Sequence, residues 1–283
     1  MKKIERLEKS KEEYFVPKYY KIDKITKQTD DEWLLRFNIP LIHDPGQFIQ
    51  ISIPGIGEAP ISICSCNEKY FEMSIRAVGN VTNALCNLKK GDQVGLRGPY
   101  GAGYPMKNLN GNNIIIVGGG CGVAPVRGII EYVDHNRKDF GDVNLYFGYR
   151  NPKEVLFKED FAKWEKDYNL RVTVDKGNKK WEKGKSKHHK SWEGHTGLIT
   201  TLLDEENFNN ENKIVFICGP PIMIKFVAMS LMKKGFNYDQ IYISNERLMK
   251  CATGMCGHCM IEGKYCCKDG PVFRYDEVKD LYG

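Results

Sequence analysis

The chain has 283 residues, 41% hydrophobic and 28% charged, which suits two domains with sizeable cores and excludes a disordered or fibrous protein. Its net charge of +6 is local: Lys176 to His195 holds seven lysines and two glutamates, leaving +1 elsewhere, so a basic nucleic-acid face is excluded. The longest aliphatic run, Ile114 to Val117, is too short for a membrane span, and the charged N-terminus is no secretion signal; a cytoplasmic protein is expected.

In chain order, a charged extension (1–16) leads into residues 17–106. There, short alternating runs at 20–25, 33–39, 47–53 and 70–76 are separated by Asp, Gly, Pro and Asn turns. The pattern predicts an antiparallel β-barrel with a short helix near Thr82–Leu88. From 107 to 247 strands alternate with helices, with strands at 114–117, 143–147, 170–174 and 213–218 and helices ending near Asn136 and Lys234. That alternation predicts an α/β doubly wound parallel sheet. The Lys-rich stretch 176–195 interrupts this region as a solvated loop. Residues 248–283 form a C-terminal appendix.

Three motifs carry chemistry. The strand at 114–117 runs into Gly118, Gly119, Gly120 and Gly122, then Ala124 and Pro125 open a helix. Missing side chains let backbone approach a pyrophosphate at a helix N-terminus, although such a turn can also be purely structural. A second turn, Cys218, Gly219, Pro220, follows another buried strand, and ligands of open parallel sheets sit outside such strand ends. Arg150 follows the second sheet strand, where an adenosine group would lie, and is a candidate either to contact a 2′-phosphate or to pair with a surface carboxylate.

The third motif is a cysteine cluster. Five of ten cysteines fall within residues 251–267, whereas a disulfide scaffold would spread them through a small secreted domain. Cys251, Cys256 and Cys259 have the C-x4-C-x2-C spacing of a plant-type [2Fe–2S] site. Structural zinc, which usually takes two close pairs, is the runner-up. Cys266 and Cys267 compete for the fourth ligand position. In the β-region, Ala59, Pro60, Ile61 and Ser62, the stretch Arg76 to Thr82, and the run Arg97, Gly98, Pro99, Tyr100, Gly101 end strands with small or polar residues, as a flat cofactor with phosphates requires.

A barrel followed by GGGxGxAPxR and CGPP turns resembles the ferredoxin–NADP⁺ reductase superfamily. The cysteine appendix narrows the resemblance to its electron-transfer subunits, which include those of dihydroorotate dehydrogenase and the γ subunits of sulfhydrogenases. Within that branch, the strings at 57–62, 78–85, 98–105, 119–125, 219–224 and 256–271 are most similar to the B-subunit family of anaerobic sulfite reductases. The resemblance implies FAD beside Ile61 and Ser62, with Ser62 near flavin N5. It implies that Arg76, Gly79, Val81 and Thr82 hold the flavin chain, with Gly98, Tyr100 and Gly101 nearby. Gly119, Gly120 and Gly122 then match the nicotinamide-nucleotide turn, with Gly219 and Pro220 at the nicotinamide end. Cys251, Cys256, Cys259 and Cys267 match the cluster ligands.

One departure stands out: Ala59 replaces the family's usual Arg, leaving Arg76 or Arg97 to neutralise the flavin phosphate. The identity of the flavin, FAD rather than FMN, rests on the resemblance. The implied activity is a NAD(P)H-dependent flavin oxidoreductase subunit, with no general acid or base of its own. It would pass electrons from NADH (NADPH being possible) through FAD and a [2Fe–2S] cluster to partner subunits. Those partners are expected to be the iron–sulfur and sirohaem-type catalytic subunits of a sulfite reductase complex. The alternatives are the same relay in a sulfhydrogenase or dihydroorotate dehydrogenase complex, or a zinc-stabilised nucleotide-binding regulatory protein.

Overall fold

The computed structural model describes residues 15–176 and 194–282; nearly all of the charged extension and the Lys-rich stretch lie outside the described residues. The first region runs β1 (Lys18–Lys21), β2 (Lys24–Lys27), β3 (Glu32–Phe37), β4 (Phe48–Ile53), β5 (Gly57–Ser62), β6 (Phe71–Arg76), α1 (Asn80–Cys86) and β7 (Gln93–Tyr100). Alternation drives it: Leu35 and Phe37, Ile49 and Ile51, and Met73 and Ile75 all turn into one core. Each such side chain, fully buried, contributes roughly 1.5–3 kcal/mol.

The strands make two antiparallel sheets, β1-β7-β4-β5 and β2-β3-β6, bridged at Ile63 and Met73. Where a barrel is expected, the strands form two sheets on a shared core. The run expected at 20–25 breaks in two because the chain changes sheets there. Ile22 N–H donates to the Asp92 carbonyl beside β7, and Asp23 N–H donates to the Arg36 carbonyl on β3.

The second region contains β8 (Asn113–Gly119), α2 (Val123–His135), β9 (Val143–Tyr149), α3 (Phe161–Asp167), β10 (Asn169–Val174) and β11 (His195–Thr196). It continues with α4 (Ile199–Glu205), β12 (Lys213–Cys218), α5 (Pro221–Lys233) and β13 (Ile241–Ser244). Ile114 and Ile116 face one hydrophobic cluster with α2 and α3 residues, and Ile115 and Val117 face another with α4 and α5 residues. Burial on both faces explains why this strand is an unbroken apolar run.

The sheet order is β11-β10-β9-β8-β12-β13 and then a C-terminal edge strand, Val272–Arg274, and the chain reverses direction across the sheet between β8 and β12. That switch point opens a crevice at the strands' carboxyl ends. After β14 (Met260–Ile261) and β15 (Lys264–Tyr265), β16 (Val272–Arg274) pairs antiparallel with β13. The C-terminal segment is therefore not an appendix: it supplies an edge strand, and Asn245 N–H donates to the Pro271 carbonyl at 2.9 Å. Three residues of β16 are too short for a periodic signal, which is why the sequence pattern misses them.

The two regions are locked by Arg127 of α2, nearly fully buried. Its guanidinium reaches Glu72 of β6 at 3.0 Å, Glu131 at 2.9 Å and Asp160 at 2.8 Å, and donates to the Cys64 carbonyl at 2.9 Å. Glu72 also takes Arg36 at 2.7 Å. Among the described residues no helix is long and apolar enough to cross a membrane.

Candidate functional site

The crevice at the switch point is a cavity of about 790 Å³, within the usual range of roughly 300–1,000 Å³ for small-molecule sites. Gly119, Gly120, Pro220 and Arg150 line it, together with Asp175, Glu154, Met223 and Phe226. The two glycine turns pack directly on one another: a Cβ on Gly122 would lie 2.5 Å from the Cys218 carbonyl oxygen and 2.7 Å from Gly219 Cα. Gly120 adopts φ +56° with open space beside its Cα, so backbone there borders the cavity without a side chain in the way. Gly122, Gly219 and Cys218 thus shape the crevice from beneath. The Cys218 thiol is fully buried and burial holds it protonated, well above the usual thiol range.

A second cavity, of about 390 Å³, opens between the two regions. Ala59, Pro60, Ile61, Ser62, Arg76, Thr82, Ala124 and Pro125 line it. Its other wall comes from the C-terminal side: Ser244, Asn245, Glu246, Arg247, Met249 and Pro271. The two cavities share Glu32, Arg76 and Cys121. At this seam Arg76 pairs with Asp31 at 2.9 Å. Glu32 accepts from the Ser74 hydroxyl at 2.7 Å, and burial raises its carboxyl above the ordinary range. Burial likewise pushes the Cys121 thiol up to about 11.

The remaining expected positions lie off the cavity walls. Gly79 caps α1, where Thr82 Oγ1 accepts its N–H at 3.0 Å, and Val81 packs on the β-region core. Gly98 lies against Ile49 and Phe48, and Gly101 against the Gly270 carbonyl. The buried Tyr100 ring lies 5.8 Å from that of Phe48. Arg97 is not placed to meet a flavin phosphate. Its guanidinium is paired with both carboxylate oxygens of Glu58 and donates to the Cys251 carbonyl at 2.9 Å. Arg76 is left as the arginine of that pair that lines the cavity.

The cysteine loop winds through left-handed backbone at Ala252, Gly254 and Gly257, which turns successive N–H groups toward sulfur. Thr253 and Met255 N–H groups donate to Cys251 Sγ at 3.5 and 3.4 Å. Gly254 donates to Cys267 Sγ at 3.2 Å and Cys267 to Cys259 Sγ at 3.4 Å. Against the upward pull of its partial burial, backbone N–H groups of Thr253, Cys256 and Met255 bring the Cys251 thiol down to about 6. Burial first, and then the adjacent Cys259, push the Cys267 thiol up to about 12.

Cys266 turns away from this loop, its thiol donating to the Asn245 carbonyl at 3.3 Å. Cys267 therefore shares the loop of Cys251 and Cys259, while Cys256 is exposed on its rim. Among the described residues no three His, Cys, Asp or Glu side chains close on one ion-sized point. The donor set, sulfur ligands receiving backbone N–H bonds, is the chemistry that suits an iron–sulfur cluster.

Reading motifs alone misses Glu32, Asp175 and the stretch from Ser244 to Met249. Asp175 follows β10 and Asn245 follows β13, so the rule that ligands sit beyond strand carboxyl ends could have found both.

Comparison with known proteins agrees with this layout. Residues 116–229 match the oxidoreductase NAD-binding domain family. Residues 246–279 match the iron–sulfur cluster binding domain of dihydroorotate dehydrogenase B. The chain is 36% identical over 277 residues to sulfhydrogenase 1 subunit gamma of Pyrococcus furiosus, covering 94% of this chain and 92% of the relative. It is 32% identical over 264 residues to a probable dihydroorotate dehydrogenase B (NAD(+)) electron transfer subunit of Archaeoglobus fulgidus, covering 92% and 98%. A solved structure of an NADH-dependent reduced ferredoxin-NADP oxidoreductase superposes with TM-score 0.74 at 27% identity, covering 92% of this chain and 89% of that one. The fold is also that of a ferredoxin NADP+ reductase from Neisseria gonorrhoeae, with TM-score 0.65 at 19% identity and coverage of 80% and 97%. Likeness of this strength along nine-tenths of its length places the chain in the ferredoxin–NADP reductase superfamily, among the electron-transfer subunits related to sulfhydrogenase gamma and dihydroorotate dehydrogenase B.

Proposed function

We propose that this chain is the NADH-oxidising flavin and iron–sulfur subunit of a multisubunit reductase, serving a catalytic partner of the sulfhydrogenase or dihydroorotate dehydrogenase kind. The observation that carries the reading is the seam at Glu32, Arg76 and Cys121, where a cavity beside two glycine turns meets a cavity beside Ile61 and Ser62. The relatives reported above favour such a partner over the sulfite-reducing one expected from the strings, for which they offer no support.

A bound flavin supplies the exchange between paired electrons, carried as hydride by a nicotinamide, and the single electrons an iron–sulfur cluster takes. The chain's own residues do the rest. Gly119 and Gly120 present bare backbone to a dinucleotide, and the buried Gly122 keeps the two turns in contact. Ile61, Ser62, Ala124 and Pro125 offer small surfaces to a flat ring, with Arg76 the cation for a phosphate. Because Asp31 already pairs with Arg76, this cation is held in place before any ligand arrives. Cys251, Cys256, Cys259 and Cys267 would hold a [2Fe–2S] cluster.

Asp175, Glu154 and Arg150 all line the larger cavity, and Arg150 lies 3.6 Å from Glu154. We assign this rim to the adenosine ribose. A carboxylate accepts ribose hydroxyls and repels a 2′-phosphate, so the rim favours NADH.

Anaerobic titration of the purified, cofactor-loaded chain tests the relay. NADH is expected to bleach flavin absorbance first and cluster absorbance second. A folded, flavin-loaded sample that NADH does not bleach would overturn the reading. Anaerobic co-purification then identifies the partner, and a sirohaem-containing subunit would overturn the choice of partner.

A further inference from the structure

Two charged residues of the strings at 57–62 and 97–101 are not used by the flavin cavity. Glu58 of β5 and Arg97 of β7 bind each other across β4, which lies between their strands in one sheet, and the Arg97 side chain is only 6% exposed. The remaining Arg97 donors reach across 154 residues to the backbone of the cysteine loop. Nη1 donates to the Cys251 carbonyl at 2.9 Å and Nη2 lies 3.5 Å from the Lys250 carbonyl. The Tyr100 ring stands 5.5 Å from the guanidinium, and its hydroxyl is 3.3 Å from Nη1. The planar fork is therefore fully committed: one edge to a carboxylate, the other to the loop that carries the first cysteine.

We propose that Arg97, balanced by Glu58, is a positioning residue that fixes the Cys251 end of the cysteine loop on the β-region and sets the reduction potential of the cluster held there. This rests on reading Cys251, Cys256, Cys259 and Cys267 as the cluster ligands. The physical argument has two parts. Cluster potentials respond to net charge, to hydrogen bonds at the sulfurs and to solvent exposure. An ion pair presents little net charge while both partners stand; removing Glu58 leaves the buried Arg97 guanidinium uncompensated, and removing Arg97 leaves the solvent-exposed Glu58 carboxylate beside the loop without its counter-charge. Adding an electron to the cluster is disfavoured by a lone Glu58 carboxylate and favoured by a lone Arg97 guanidinium.

The proposal makes the two single substitutions act with opposite signs. Arg97→Gln is expected to lower the cluster's midpoint potential and Glu58→Gln to raise it. Each shift corresponds to about tenfold in the reduction equilibrium, or about 59 mV for one electron. The double variant should return near the parent value. EPR-monitored potentiometric titration of the anaerobically prepared, cofactor-loaded chain reads this directly. The rate at which NADH bleaches the flavin serves as an internal control and should not change.

Arg97→Lys keeps the charge but cannot hold carboxylate and carbonyl in one plane. It is expected to keep the parent potential within twofold in the equilibrium while broadening the cluster's EPR lines, and it supplies the test if either Gln variant fails to fold. A merely structural tie would lower cluster content in both Gln variants without separating their potentials, and that result would overturn the proposal. So would an Arg97→Lys potential displaced as far as that of Arg97→Gln. A parent chain that incorporates flavin but no iron would overturn the ligand reading itself, a failure distinguishable from unchanged potentials in cluster-loaded variants.

Discussion

The glycine-lined crevice and the cysteine loop are held by opposite means. The crevice is shaped by local rules: two parallel strands buried on both faces, each ending in a glycine turn, with Gly122 seated on the Cys218 carbonyl. The cysteine loop carries only the two-residue strands β14 and β15 and depends on partners distant in sequence: Arg97 at Cys251, the Gly270 carbonyl at Ala102 N–H, and β13 at β16. A site built on regular elements keeps its form through their packing, whereas one built on a loop needs external anchors and its own ligand. Sulfur ligands raise that dependence, since metal or cluster binding and local folding are linked.

The largest effect that would sharpen this contrast is Cys259→Ser. Cluster absorbance and iron content are expected to fall to near zero, while NADH still bleaches the flavin, because the crevice does not lean on the loop. Loss of both activities together would break the comparison. Next comes Arg127→Met, which takes the buried guanidinium from Glu131 and Asp160 and leaves Glu72 to Arg36 alone. Removing one partner of such a buried network costs about 3–5 kcal/mol, read as a lower unfolding midpoint in urea with both regions failing together. A smaller cost is expected from Gly122→Ala. Its new methyl would meet the Cys218 carbonyl at 2.5 Å, and overpacking of this kind costs roughly 1–3 kcal/mol. Weaker NADH binding should accompany it, measured by fluorescence titration, with the cluster spectrum unchanged.

The same division decides what could be read from sequence. The strand at 113–119 and its glycine turn are legible because burial on both faces leaves an unbroken apolar run and the turn follows at once. The cysteine spacing is equally visible, since C-x4-C-x2-C is a local pattern. What is not legible is contact between distant strings. Arg97 is a candidate phosphate ligand because Ala59 stands where the resemblance expects an Arg, yet the structure gives its donors to Glu58 and Cys251. Neither the choice between Cys266 and Cys267 nor the role of β16 follows from spacing. Both depend on which side of β13 the returning chain passes, a three-dimensional fact with no periodic trace. Glu32 and Asp175 escape for a related reason. A single carboxylate at a strand end gains meaning only when the cavity wall around it is known.

The smallest effect concerns the rim of the crevice. Burial raises the Asp175 carboxyl above its ordinary range, and Arg150 acts in the opposite direction. Above that raised value the carboxylate is charged and repels a 2′-phosphate, which favours NADH. As pH falls through it, the carboxyl gains a proton and the discrimination should narrow. Asp175→Asn is expected to raise kcat/KM for NADPH about tenfold, near 1.4 kcal/mol, with little change for NADH, and to remove this pH dependence. Adding Glu154→Gln should release Arg150 from its remaining partner on the rim and extend the gain. An unchanged NADPH to NADH ratio in both variants would move the adenosine ribose away from this rim. The crevice would then discriminate between its ligands elsewhere, and in this respect it would resemble the cysteine loop, whose properties are set by residues at a distance.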